Sequence, residues 1–276
     1  MKKVNVYFAA ITALSLSLFS CNKDETGSAL TDSELLKAST VVDYVNETDF
    51  QTSMETAGDN SSLRASDGAT TALTTCATID IATGPGNSFP KTFTLDFGTG
   101  CTNNGITRSG ILVFTLSGNL LENGTTLTIS RNNYHVNGYK VEGDVVYVNQ
   151  TMNADVPQWS RTVANGQITT PAGLVYTHSG TRTVKQTGGV STLLILGDNV
   201  FEVTSGNATI TGPTGASLTA TITTPLIKNA ACIYISQGVL NLQGTYLDGD
   251  LDYGDNNCDN IAIYTHSDGT TYTVHL

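Results

Sequence analysis

Phe93-Thr94-Leu95-Asp96-Phe97 decides how this chain folds. Large apolar side chains alternate there with short polar ones, the period-two pattern of a strand with one buried face. Leu218-Thr219-Ala220-Thr221-Ile222 and Tyr272-Thr273-Val274-His275-Leu276 repeat it far along the chain. Turn chemistry separates such segments: Gly84-Pro85-Gly86, Asn123-Gly124, Asn137-Gly138, Asn165-Gly166, Gly188-Gly189, Gly212-Pro213 and Asp268-Gly269. These pairs supply the backbone conformations that tight turns demand. Asp268-Gly269 would close a hairpin between Ile261 to Thr265 and Thr271 to Leu276. Residues 70–276 therefore read as roughly a dozen short strands with no helix between them, which excludes a parallel sheet. The expectation is an all-β domain, an antiparallel meander folded as a sandwich, an open half-barrel or a long curved sheet.

Upstream, the period changes. Thr31 or Asp32 can cap a helix in which Leu36, Val41, Val42, Tyr44 and Val45 recur at helical spacing, and a second short helix fits Phe50 to Met54. β-branched Thr40, Val41 and Val42 are weak helix formers. Residues 31–58 thus read as a short helical spacer, expected on the rim of the β-domain, and 57–69 as a Gly-, Ser- and Asp-rich loop.

The N-terminus carries an address. Met1-Lys2-Lys3 is followed by an apolar run from Val6 to Phe19, diluted by Tyr7, Thr12, Ser15 and Ser17. It is too short and polar to span a bilayer, which takes ~20 apolar residues, and reads as the h-region of a secretory signal. Leu18-Phe19-Ser20-Cys21 resembles the lipobox of bacterial lipoproteins. That resemblance implies removal of residues 1–20, lipidation of Cys21 as the mature N-terminus and a tether over residues 21–30. Lys23-Asp24-Glu25 looks like the export signal of Bacteroidetes lipoproteins, implying an outer-membrane protein displayed at the cell surface.

Composition bounds the partners. The 276 residues carry a formal charge of −11. Loss of residues 1–20 would remove Lys2 and Lys3 but no acid, leaving −13. Such a surface repels phosphate backbones, so nucleic acid is not an expected partner. Apart from Cys21 there are four cysteines, and an even number in an exported chain suggests two disulfides with three conceivable connectivities. The pairs Cys76 with Cys101 and Cys232 with Cys258 are preferred, because each sits near one end of the domain and their spacings, 25 and 26, are alike. With no Cys-x-x-Cys or close Cys-His pair, zinc is the weaker reading. An internal echo accompanies them: Leu95-Asp96-Phe97-Gly98 leads to Cys101, and Leu251-Asp252-Tyr253-Gly254 leads to Cys258. Two related sheet halves, each pinned by its own disulfide, are one reading of it.

Phe89-Pro90-Lys91 through Gly100-Cys101, Arg108-Ser109-Gly110, Asn132-Asn133-Tyr134-His135-Val136-Asn137-Gly138 and Gly254-Asp255-Asn256-Asn257-Cys258-Asp259-Asn260 resemble a family of Bacteroidetes lipoproteins without assigned activity. The resemblance implies an exported all-β protein and carries over no catalytic residue.

Catalytic signatures are sparse. His135, His178, His266 and His275 are scattered, expected at the surface, and none lies in a Gly-x-Ser-x-Gly turn or His-Glu-x-x-His helix. Asp248, Asp250 and Asp252 share one face of a strand, with Asp255 and Asp259 nearby, where like charges repel unless a cation such as calcium neutralises them. An exposed, solubilising strand face is the plainer alternative. Trp159 and Arg161, two residues apart and so on one strand face, with Tyr134, Tyr139 and Tyr147, are candidates for a glycan platform, or else core. The expected role is a non-enzymatic structural or binding module of the cell envelope, held to the membrane by its lipid and meeting a glycan or envelope protein. The alternative is a calcium-dependent glycan-binding or adhesion protein, with a hydrolase below both.

Overall fold

The computed structural model describes residues 26–59 and 76–275, apart from 104, 193–195, 233 and 246. The signal peptide, Cys21 and the Lys23-Asp24-Glu25 segment lie outside the described residues. Among the described residues the 34-residue helix α1 (Thr26–Asp59) precedes fourteen strands. These are β1 (Thr78–Gly84), β2 (Ser88–Asp96), β3 (Cys101–Asn103), β4 (Ile106–Leu116), β5 (Thr126–Val136), β6 (Tyr139–Asn149) and β7 (Gln158–Thr169), then β8 (Val175–Gly188), β9 (Val200–Thr211), β10 (Ser217–Asn229), β11 (Gln237–Gln243), β12 (Asp248–Asp255), β13 (Ile261–His266) and β14 (Thr271–His275). Every pairing is antiparallel, and strands lie in chain order across one sheet, β3 alone being off the path as a short second partner of β4. The sheet is not closed into a barrel. Of the expected arrangements the single open sheet stands, and the sandwich falls away.

Register follows the apolar alternation. In β2, Phe93 and Leu95 point inward and pair with Phe114 and Leu112 of β4, with the two phenylalanine rings stacked at 4.6 Å. The opposite face carries Thr92, Thr115, Thr128, Val146, Thr162, Thr181, Asn207, Thr221, Asn241, Asp250, Thr265 and Thr271, partnered strand to strand from β2 to β14. Threonine suits this position because its branched Cβ favours the pleated backbone while its hydroxyl meets water or a neighbour. Thr92 and Thr115 hydroxyls lie 3.0 Å apart, those of Thr162 and Thr181 3.4 Å.

A band of bulges bends the strands. Register slips at Gly110 in β4, between Ile129 and Tyr134 in β5, at Gly143 in β6 and between Val163 and Gly166 in β7. Gly110 and Gly143 hold φ of 78° and 91°, and a Cβ on either would sit 2.1 and 2.7 Å from the carbonyl oxygens of Asn133 and Asn165. Only glycine meets both conditions, and bulges of this kind coil a sheet. Asn165-Gly166, expected as a turn, is one of these bulges: β7 runs straight through it.

The cysteines join as Cys76–Cys101 and Cys232–Cys258, one pair at each flank of the sheet. The echo preceding them is a shared local structure. Gly98 N–H donates to Asp96 Oδ1 and Gly254 N–H to Asp252 Oδ1, both at 2.8 Å, so the two copies share one Asp-to-Gly hydrogen bond, at the end of β2 and within the last residues of β12. The two copies belong to one continuous sheet.

The helix corrects the expected spacer. Residues expected as two short pieces on the rim form one continuous helix lying across the inner face of the sheet. Among the described residues no helix is long and apolar enough to cross a membrane.

Candidate functional site

Helix α1 meets the sheet through buried apolar side chains, Leu35, Val45, Phe50 and Met54 among them, and through polar groups spaced three residues apart. Thr52 Oγ1 accepts from Arg108 Nη2 of β4 at 3.4 Å, and Asp49 meets Arg131 of β5. The Asn46 carbonyl accepts from the Tyr147 hydroxyl of β6 at 3.3 Å, and Asp43 meets Arg161 of β7 and Arg182 of β8. Three residues advance a helix ~4.5 Å, close to the ~4.8 Å between strands, so one helix position serves each successive strand. Each step falls about 60° short of a full turn, so the contacts sweep around the helix as the sheet curls past it. At the far end Leu247 N–H, in the β11–β12 turn, donates to Asp32 Oδ2 at 2.7 Å. Tertiary packing thus holds helical the weak formers Thr40, Val41 and Val42.

All four arginines of the described strands lie beneath this helix. Each occupies the apolar phase of its strand: Arg161 falls between Trp159 and Val163, and Arg182 between Gly180 and Val184. Asp49 forms the tightest cluster. Its Oδ2 accepts from Arg131 Nε at 2.9 Å and Nη2 at 2.7 Å, while its Oδ1 accepts from the Tyr134 hydroxyl at 2.8 Å. Arg131 also gives Nη2 to Asn46 Oδ1 and Nη1 to the Gly143 carbonyl, at 3.0 and 3.2 Å. Both side chains of the ion pair are fully buried. Burial and the Asp49 charge together push the Tyr134 hydroxyl well above its ordinary range. Beside this cluster Phe50 stacks on Tyr147 at 4.3 Å and meets Trp159 and Phe201 edge-on at 5.7 and 6.2 Å.

Six residues earlier on α1 the balance differs. Asp43 Oδ1 serves two guanidiniums, Arg182 Nη1 at 2.8 Å and Arg161 Nη2 at 3.3 Å. Glu47, the next acid on this side, has its carboxyl pushed up by burial, against the pull of the Arg161 charge. Arg182 Nε and Nη2 and His178 Nε2 are buried without an acceptor. His178 is only 7% exposed, and burial, aided by the Arg131 charge, holds its imidazole down to about 4. Its ring lies on Gly166, where a Cβ would come within 2.3 Å of it. A cavity of about 20 Å³ opens here between α1 and strands β7 to β9.

Several expected site residues sit elsewhere than their proposed roles require. Trp159 is 1% exposed and Arg161 6%, so both are core beneath α1 and neither offers a glycan platform to solvent. Tyr134 and Tyr147 are likewise buried. Of the histidines, His178 is internal where a surface position was expected. Asp248, Asp250 and Asp252 do project from one exposed face of β12. Each carboxylate accepts a neighbour's N–H: Gln243 Nε2 to Asp248 and Gly254 N–H to Asp252 at 2.8 Å, Asn241 Nδ2 to Asp250 at 2.9 Å. Among the described residues no group of three or more His, Cys, Asp or Glu side chains is gathered as a metal site. Neither Asp43, Asp49 nor Arg182 stood out in sequence. The available signal was parity, since an arginine in the apolar phase of a strand is a buried arginine.

Comparison with known protein families, curated proteins and solved structures finds no match to this chain.

Proposed function

We propose that the chain is a lipid-anchored, surface-displayed envelope protein with a non-enzymatic structural or binding role. The observation that carries this reading is the division of the sheet into two faces. Helix α1 occupies the inner face and leaves a cavity of about 20 Å³, so a macromolecular partner is met by the outer face and the sheet edges. That outer face presents a hydroxyl- and amide-rich file running from β2 to β14, suited to a polar partner such as an envelope glycan or protein. Two disulfides agree with an oxidising compartment outside the cytoplasm.

Four residues separate Cys21 from Thr26, the start of α1. A lipid on Cys21 would therefore hold the helix start within ~18 Å of the bilayer surface, since an extended residue spans at most ~3.6 Å. The β11–β12 turn, hydrogen-bonded to Asp32, would face the membrane. Multiple acyl chains make such anchoring stable where one does not. Labelling of cells with a radioactive fatty acid, followed by brief protease treatment of whole cells, tests the reading. It expects label on the wild type, none on Cys21→Ser, and cleavage of the protein on intact cells. An unlabelled wild type, or one protected until the envelope is broken, overturns it.

A further inference from the structure

The open sheet ends in two strands of different character. Among the described residues no strand pairs with the outer side of β1 or of β14. β1 carries Asp80 and a register slip between Thr83 and Gly84, both of which blunt an edge. β14 has neither. Its register against β13 is unbroken from Thr271 opposite Thr265 to His275 opposite Ile261, and the strand holds no proline, lysine or acid. Which of its backbone groups look outward follows from the hairpin. His266 N–H donates to the Thr270 carbonyl, while Ser267 N–H donates the other way, to Asp248 of β12. Hydrogen-bonded pairs alternate along an antiparallel ladder. Tyr272 and Val274 therefore bond to β13, and Thr271, Thr273 and His275 turn their N–H and C=O groups to the open side.

We propose that β14 is a docking edge for a second copy of this chain, two copies pairing antiparallel about a two-fold axis at Thr273 into one continuous sheet. In that register Thr273 faces its own counterpart and Thr271 faces the partner's His275, each pair exchanging two backbone hydrogen bonds. On the inner face Tyr272, 44% exposed, meets the partner's Val274, an aromatic and a β-branched side chain directly opposite. Ile261 and Ile263 of β13, each 41% exposed, add apolar surface beside the joint. Strand direction selects the partner edge. Thirteen antiparallel strands make up the path, so β1 and β14 run the same way. Joining β14 to the β1 of another copy would set a parallel ladder, the weaker kind, and would propagate as a filament. β14 against β14 is antiparallel and closes. Charge agrees: the chain stands at −11, yet neither β13 nor β14 bears an acid. The acids of β12 would lie five strand spacings, ~24 Å, from their counterparts, beyond the ~10 Å screening length.

Five residues of edge are far less than a standard interface, so the association is expected to be weak. Sedimentation equilibrium of the purified protein, over a range from about 10 μM to about 1 mM, provides the test and is expected to show a reversible monomer–dimer equilibrium. Thr273→Lys sets two like charges face to face on the axis, and Thr273→Pro removes an N–H that β13 does not use. Each is expected to raise the dissociation constant about tenfold or more. Thr162→Lys adds the same charge to the outer face far from the edge and is expected to dimerise as the wild type does. A protein monomeric throughout the range overturns the proposal, as does a dimer that either Thr273 variant leaves as tight as before or that Thr162→Lys weakens equally. Amide exchange of the wild type gives a reading that depends on no variant. The amides of Thr271, Thr273 and His275 are expected to slow as concentration rises, and rates independent of concentration contradict the pairing.

Discussion

Two acids on one helix, Asp49 and Asp43, meet the same sheet six residues apart and do opposite things to it. Around Asp49 every polar atom has a partner: Arg131 and Tyr134 fill the carboxylate, and Asn46 and the Gly143 carbonyl take two further N–H groups of Arg131. Around Asp43 two guanidiniums compete for one carboxylate, and a cavity opens. A buried polar network that is complete acts as a clamp, whereas one that is short of an acceptor holds its elements less firmly.

The sharpest way to break this contrast is Asp49→Ala. It strands a buried guanidinium and a buried phenol, and is expected to cost about 3–5 kcal/mol in urea denaturation, the range for removing one partner of a buried pair. A loss under about 1 kcal/mol, the value of an exposed pair, would mean that the cluster is not a clamp.

Acid probes the other region. The folded value of His178, about 4, lies below the ordinary 6.5. Between these values the unfolded chain takes up a proton that the folded chain refuses, so this contribution leaves stability unchanged above pH ~6.5, lowers it as pH falls towards ~4, and levels off below. The full effect is about 3 kcal/mol. Subtracting the profile of His178→Gln from that of the wild type isolates it from the carboxylates, and a flat difference across that window would place His178 in water.

Asp43→Ala is expected to cost less than Asp49→Ala, roughly 1–3 kcal/mol, because the cavity lets solvent approach and Glu47 still faces Arg161. Equal losses in the two variants would erase the distinction between the regions. Thr162→Ala, on the outer face, serves as the floor of the scale, expected within about 0.5 kcal/mol of the wild type in the same denaturation.

Much of the sheet was legible because its signals are local. Alternation around Phe93 and Leu218 gives strands, Asn137-Gly138 and Asp268-Gly269 give turns, and similar spacings favour the cysteine pairing found. Asn165-Gly166 misled because a bulge in a long strand asks for the same left-handed residue as a turn, with Asn165 at φ 56°. The helix was harder for a different reason. A helix buried against a sheet normally announces itself by an apolar stripe, but here Asp43, Asn46, Asp49 and Thr52 share the buried side with Leu35, Val42, Val45, Phe50 and Met54, so no clean stripe shows in the pattern. Its partners were hidden in the same way. Trp159 and Arg161 were correctly placed on one strand face, yet nothing local says whether that face looks at solvent or at a helix more than a hundred residues away in sequence.

Amide hydrogen exchange on the native protein separates a helix that belongs to the core from one that merely rests on it. If the Arg–Asp register binds α1 into the sheet, the amides of Val45 to Met54 should exchange only through global unfolding, with the same opening free energy as the central strands β5 to β8. Exchange of those amides through a local opening, while β5 to β8 stay protected, would contradict it.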